Sequence, residues 1–97
     1  MNPFSLEGKH IVVSGASSGI GRQCAISCAA MGARVSLLGR NSERLQQTLS
    51  QMDGTGHHIY VVDLTVEEDI KTTVQKIVAD SGRISGLLNA AGISGTL

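Results

Sequence analysis

Apolar positions along the chain switch repeatedly between two periods. Ile11 to Val13 is a short continuous apolar run, the pattern of a strand buried on both faces. Ile20, Cys24, Cys28 and Met31 then recur at helical spacing, and Gly32 marks a C-terminal stop. A second strand covers Val35 to Leu38, and Asn41 or Ser42 stands ready to cap a helix carrying Leu45, Leu49 and Met52. The DGTG stretch at Asp53 to Gly56 breaks that helix. Ile59 to Val62 predicts a third strand. Thr65 with Glu68 reads as a capping box opening a helix whose Val66, Ile70, Val74, Ile77 and Val78 share a face, ended by Ser81 and Gly82. A fourth strand around Ile84 to Leu88 runs into Asn89-Ala90-Ala91-Gly92.

This βαβαβαβ alternation implies parallel strands with right-handed crossovers and helices on both faces, so the fold class is α/β, doubly wound. No linker, low-complexity tract or short repeat interrupts it. Four buried-type strands would leave one face or edge of the sheet unprotected, so residues 1–97 are expected to be the N-terminal portion of one larger domain, incomplete at the C-terminus.

Composition narrows the function classes. Among 97 residues, 41% are apolar and 16% charged, which suits a globular domain. Eight basic residues balance eight acidic ones, giving no electrostatic case for nucleic acid or an anionic membrane. No apolar run approaches the ~20 residues of a bilayer span, and the polar start is unlike a signal peptide. Cys24 and Cys28 are expected as small buried residues rather than a metal or redox pair, since no nearby Cys or His completes a ligand set. Free cysteines without a leader point to the cytoplasm.

The chemistry concentrates in SGASSGIG, Ser14 to Gly21. A strand, a glycine turn and a helix N-terminus together make an anion site, because the first helical amides lack internal partners and the helix dipole favours negative charge. Gly15 permits the turn, Gly19 lets the backbone approach a phosphate, and Gly21 lets the helix pack close on its strand. Ser17 and Ser18 can add hydroxyl donors. A plain βα turn that merely uses glycine is the alternative. A P-loop is excluded, because no Lys-Ser/Thr pair follows the glycines. At the end of the second strand, where NAD sites carry an acid roughly 20 residues after the glycines, stand Gly39 and Arg40. A guanidinium holds a 2′-phosphate with paired hydrogen bonds, whereas a carboxylate repels it, so loop and arginine together favour NADP(H). Taken alone, Arg40 would read as a solvated residue at a helix entrance.

These residues resemble the short-chain dehydrogenase/reductase family. SGASSGIG is similar to its TGxxxGxG loop, with Ser14 for threonine. Gly39-Arg40-Asn41 matches the NADP-preferring variant, Val62-Asp63-Leu64-Thr65 the adenine-contacting segment, and NAAG the NNAG that follows the fourth strand. The resemblance implies a Rossmann-type nucleotide-binding fold with NADP(H) as cofactor. It also implies that Ile20 belongs to the cofactor-binding residues, an adenine contact at Asp63, packing of Leu64 on the ring, strand stabilisation by Asn89, and close approach of Ala90 and Gly92 to the ribose. For Asp63 the plain alternative is a strand-end acid capping the next helix. For Asn89 to Gly92 it is a glycine-ended turn. Ser18 stands where many NADP-preferring relatives carry Arg or Lys, and Ala90 replaces an asparagine.

The family's chemistry is hydride transfer to or from a carbonyl or alcohol carbon, with a YxxxK pair and an upstream serine well beyond NAAG. Tyr60, the only tyrosine, is followed four positions on by Leu64, so no catalytic residue is assigned here, and no metal site. The expectation is therefore an NADP(H)-dependent oxidoreductase resembling 3-oxoacyl-acyl-carrier-protein reductases, acting on a small carbonyl or alcohol substrate and assembled as a homo-oligomer. The alternative is a non-catalytic NADP(H)-binding module.

Overall fold

The computed structural model describes residues 5–17 and 19–90. They alternate strictly: β1 (His10–Ser14), α1 (Gly19–Ala30), β2 (Arg34–Gly39), α2 (Ser42–Ser50), β3 (His58–Val61), α3 (Glu67–Ser81) and β4 (Gly86–Asn89). The four strands form one wholly parallel sheet in the order β3-β2-β1-β4. β1 is central, with Val12 opposite Ser36 on one side and Leu87 on the other. The chain runs outward from β1 through β2 to β3, then crosses back to β4. This places the reversal of strand order between β1 and β4.

Successive strand residues face opposite layers, which explains the unbroken apolar runs. Val13, Val35 and Leu37 pack with Ala25, Cys28 and Ala29 of α1 and Leu45 of α2, whereas Val12 and Leu38 pack with Ile77 of α3. The first layer is much the fuller. On the second, Val74, Val78 and Leu87 remain exposed, Leu87 at 65%.

Three expectations need correction. In α1 the buried stripe is Gly21, Ala25, Cys28 and Ala29, while Ile20 and Met31 are exposed and Cys24 is half-buried. The helix lies so close to its strands that only small residues fit beneath it. The apolar face of α3 exists, but of its five predicted residues only Ile77 is fully buried. The Thr65–Glu68 capping box does not form. Asp63 Oδ1 accepts the Thr65 hydroxyl at 2.6 Å and the Thr65 amide at 2.9 Å, and the helix starts at Glu67 behind Val66, which makes no side-chain cap bond. A charge-assisted bond to the neighbouring carboxylate outcompetes the cap. Elsewhere the punctuation is as expected, with Asn41 Oδ1 capping α2 by accepting from the Arg44 amide at 3.0 Å and Gly82 closing α3.

Candidate functional site

The C-terminal ends of the strands carry a cleft of about 890 Å³. Three turns build it: the glycine turn after β1, Gly39 to Ser42 after β2, and Val62 to Thr65 after β3. Cross-strand bonds tie these turns together. The Ala16 amide donates to the Leu38 carbonyl at 3.1 Å, and the Val62 amide donates to the Gly39 carbonyl at 2.9 Å. On the other side of β1, the Ser14 hydroxyl donates to Asn89 Oδ1 at 2.9 Å, and the Ala90 amide to the Ser14 carbonyl at 3.1 Å.

The three glycines do three different jobs. Gly15 turns the chain with φ 71°, a left-handed conformation that side chains disfavour. Gly19 opens α1 with φ 59°, and a Cβ there would meet nothing within 4 Å, so the backbone is open to an approaching group. Gly21 faces inward. A Cβ on it would overlap the Gly15 carbonyl oxygen and lie 2.7 Å from the Gly15 carbonyl carbon, so α1 sits on its turn only without a side chain. No acidic residue occupies the first turn of α1, which leaves the positive end of its dipole uncompensated.

Gly15, Ser17, Arg40, Asp63 and Leu64 line this one cleft. Gly19 and Ile20 lie at the adjoining helix start, both exposed. Asn89 lies across β1, on an apolar groove lined by Leu64, Val74 and Ile77, and Ala90 is buried beside it. Ser18 and Gly92 lie outside the described residues. The Asp63 carboxyl is held below its ordinary pKa first by the Thr65 bonds and further by the positive charge of Arg40, so it is an ionised acceptor. Tyr60 is turned away. Its hydroxyl donates to Asp80 Oδ2 at 2.7 Å, and burial together with that carboxylate pushes the phenol above its ordinary range. Among the described residues no cluster of three or more His, Cys, Asp or Glu suits a metal ion, and no helix is long and apolar enough to cross a membrane.

Two residues that sequence reasoning passed over brace the glycine turn. Arg22 on α1 donates to the Ser17 carbonyl at 2.7 Å and to the Thr48 hydroxyl at 2.9 Å, and that buried hydroxyl donates to the Ala16 carbonyl at 2.8 Å. The available signal was a threonine set on the apolar stripe Leu45, Thr48, Leu49 of a short helix.

Comparisons with known proteins agree with this architecture. A family model described as short chain dehydrogenase matches residues 9–97. The chain is 38% identical over 95 residues to the uncharacterized oxidoreductase YciK of Escherichia coli strain K12, covering 93% of this chain and 38% of that protein. It is 32% identical over 93 residues to D-threitol dehydrogenase of Mycolicibacterium smegmatis, covering 94% and 36%. Among solved structures, the citronellol catabolism dehydrogenase of Pseudomonas aeruginosa superposes with a TM-score of 0.83 at 39% identity, covering 90% of this chain and 37% of that one. The chain thus spans little more than a third of the length of these relatives.

Proposed function

This chain belongs to the short-chain dehydrogenase family, and from that premise we propose that it is the dinucleotide-binding part of an NADP(H)-dependent oxidoreductase. The observation that carries the reading is one cleft that joins a glycine turn at a helix N-terminus to Arg40. The residues fit such a cofactor. Gly19 leaves the space a Cβ would fill, the uncompensated α1 dipole suits a pyrophosphate, and the end of β2 carries Arg40 where an NAD site would carry an acid. Ser17 would add a hydroxyl to the phosphates, the ionised Asp63 would accept from the adenine amino group, and Leu64 would pack on the ring. Asn89 and Ala90 would border the nicotinamide side. When bound, the nicotinamide supplies or takes up a hydride at the substrate carbon.

The proposed reaction interconverts a carbonyl and an alcohol, with 3-oxoacyl thioesters of the acyl-carrier type among the substrates to test. In this proposal the proton-transferring tyrosine and lysine would lie outside these residues, which hold no Tyr-x-x-x-Lys and whose Tyr60 is bonded to Asp80. The whole protein is proposed to be cytoplasmic and homo-oligomeric, with neither nucleic acid nor membrane as partner. A second reading, a dinucleotide-holding module without turnover, is favoured by the lack of a Tyr-x-x-x-Lys in these residues. NADPH consumption in the presence of ketones separates the two.

The cofactor test is a fluorescence titration with NADPH and NADH. Arg40→Asp should weaken NADPH about ten- to a hundredfold, by removing a charge-assisted pair and adding repulsion, and leave NADH nearly unchanged. An unaltered NADPH/NADH preference would sink the role given to Arg40.

A further inference from the structure

We propose that Arg22 and Thr48 are positioning residues that hold the glycine turn in its phosphate-receiving conformation, an inference that rests on the dinucleotide reading above. Two consecutive carbonyls of the turn are drawn off the cleft. The Ala16 carbonyl is held by the buried Thr48 hydroxyl at 2.8 Å, and the Ser17 carbonyl by Arg22 Nη2 at 2.7 Å. The two side chains also hold each other, Arg22 Nε donating to Thr48 Oγ1 at 2.9 Å, while Nη2 reaches the Arg44 carbonyl on α2 at 3.2 Å. In a trans peptide the N–H points opposite its C=O, so fixing the Ala16 carbonyl on Thr48 aims the Ser17 amide the other way. A turn with its carbonyls swung toward the cleft would instead meet a phosphate with negative oxygen dipoles. The pair thus does for an anion what the glycines alone do not. Glycine supplies conformational freedom, and these two side chains select one conformation from it.

Neither residue needs to touch the cofactor, and this sets the experimental signature. The pyrophosphate is common to NADPH and NADH, whereas Arg40 faces the one group that differs. Dissociation constants for both dinucleotides should be measured on the full protein carrying Thr48→Val, Thr48→Ser, Arg22→Gln or Arg22→Lys, with circular dichroism to verify folding. Thr48→Val and Arg22→Gln should each weaken NADPH and NADH alike, by about tenfold, the effect of one buried or charge-assisted hydrogen bond. Thr48→Ser should restore most of the affinity, because the hydroxyl stays in place. Arg22→Lys should restore only part, since one ammonium does not span Ser17, Thr48 and Arg44 together. If Thr48→Val does not fold, the half-exposed Arg22→Gln carries the test. Folded variants with unchanged affinity for both dinucleotides would overturn the proposal, and so would a change confined to the NADPH/NADH ratio. An unmodified protein that binds neither dinucleotide would overturn the functional reading and this inference with it. One that binds NADPH and NADH equally would count against Arg40 alone.

Discussion

Gly21→Ala is the sharpest perturbation the fold offers, because it adds one methyl group at a place where the three nearest atoms are all backbone. The new Cβ would overlap the Gly15 carbonyl oxygen, lie 2.7 Å from the Gly15 carbonyl carbon and 3.2 Å from the Ala16 Cα. None of these atoms belongs to a flexible side chain. Relief requires either sliding α1 off the sheet or displacing the turn, which is pinned by the Ala16 amide on the Leu38 carbonyl and by Thr48 and Arg22. Overpacking a rigid interior typically costs 1–3 kcal/mol, and here the upper end applies. Helix propensity opposes it, since alanine is better than glycine inside a helix by about 1 kcal/mol. The steric effect wins, with a net loss of about 2 kcal/mol. At a urea m-value of about 1–2 kcal/mol/M this lowers the unfolding midpoint by about 1–2 M. Gly19→Ala is the matched control. A Cβ there meets nothing, so only the strain of φ 59° remains, about 1–2 kcal/mol for an L-residue, with no displacement of the turn. Urea unfolding followed by circular dichroism, with NADPH titration on the same samples, checks both. Gly21→Ala should lose stability and binding together, whereas Gly19→Ala should lose binding out of proportion to stability, because its methyl would enter the open space proposed to receive the phosphate. A Gly21→Ala protein as stable as the parent would refute the reasoning, since it would mean that the turn yields to α1.

Two further outcomes follow from buried or paired groups. His10 is fully buried with Nε2 2.7 Å from Ser36 Oγ, and desolvation, reinforced by the charge of Arg34, holds its pKa below the ordinary 6.5. The unfolded chain then binds the proton first. Stability is therefore fully present above pH 6.5 and falls as the pH drops below it, and His10→Gln should flatten the pH 7-to-5 decline in urea midpoint. An identical decline in the variant would assign the effect to other groups. Tyr60→Phe removes the exposed bond to Asp80 and should cost at most about 1 kcal/mol, leaving NADPH binding and the turnover of the whole protein unchanged. Loss of turnover would refute the exclusion of Tyr60 from the chemistry.

What could be read from the sequence depended on whether a feature is local. Buried parallel strands announce themselves as apolar runs, and Asn41 and Gly82 act within a few residues of themselves, so the order of elements and most of their ends were legible. The inward role of Gly21 was legible for the same reason, as the third glycine of a strand–turn–helix. The Thr65–Glu68 box was misread because its competitor, Asp63, stands two residues upstream and is charged, and a pattern carries no ranking of acceptors. The stripe of α1 was misread because apolar spacing assumes that a helix buries its largest residues, whereas close seating on a sheet selects alanine and cysteine. The bracing of the turn was illegible. Arg22 and Thr48 are 26 positions apart, and only the parallel crossover that sets α2 beside α1 brings them within 2.9 Å.

The charges around the cleft decide how much must rest on Arg40. Arg40 and Arg44 are offset there by Glu43 and Asp63, so the average field does not draw in a cofactor with an extra phosphate. The start of α2 does not supply the missing attraction either. Its Arg44 amide is taken by Asn41 Oδ1, and Glu43 in its first turn already places a negative charge against its dipole. Arg44 lends its carbonyl to the brace through Arg22, which ties its backbone to the turn. On the proposed NADP(H) reading, selectivity for a 2′-phosphate would therefore have one strong source, a guanidinium at the end of β2 able to pair with two phosphate oxygens at once. A site built this way separates affinity from preference. On that reading the turn, the α1 dipole and the Arg22–Thr48 brace would serve any dinucleotide. With the rest of the cleft electrically balanced, the proposed choice between two cofactors would turn on a single side chain, and one substitution at Arg40 should be enough to move it.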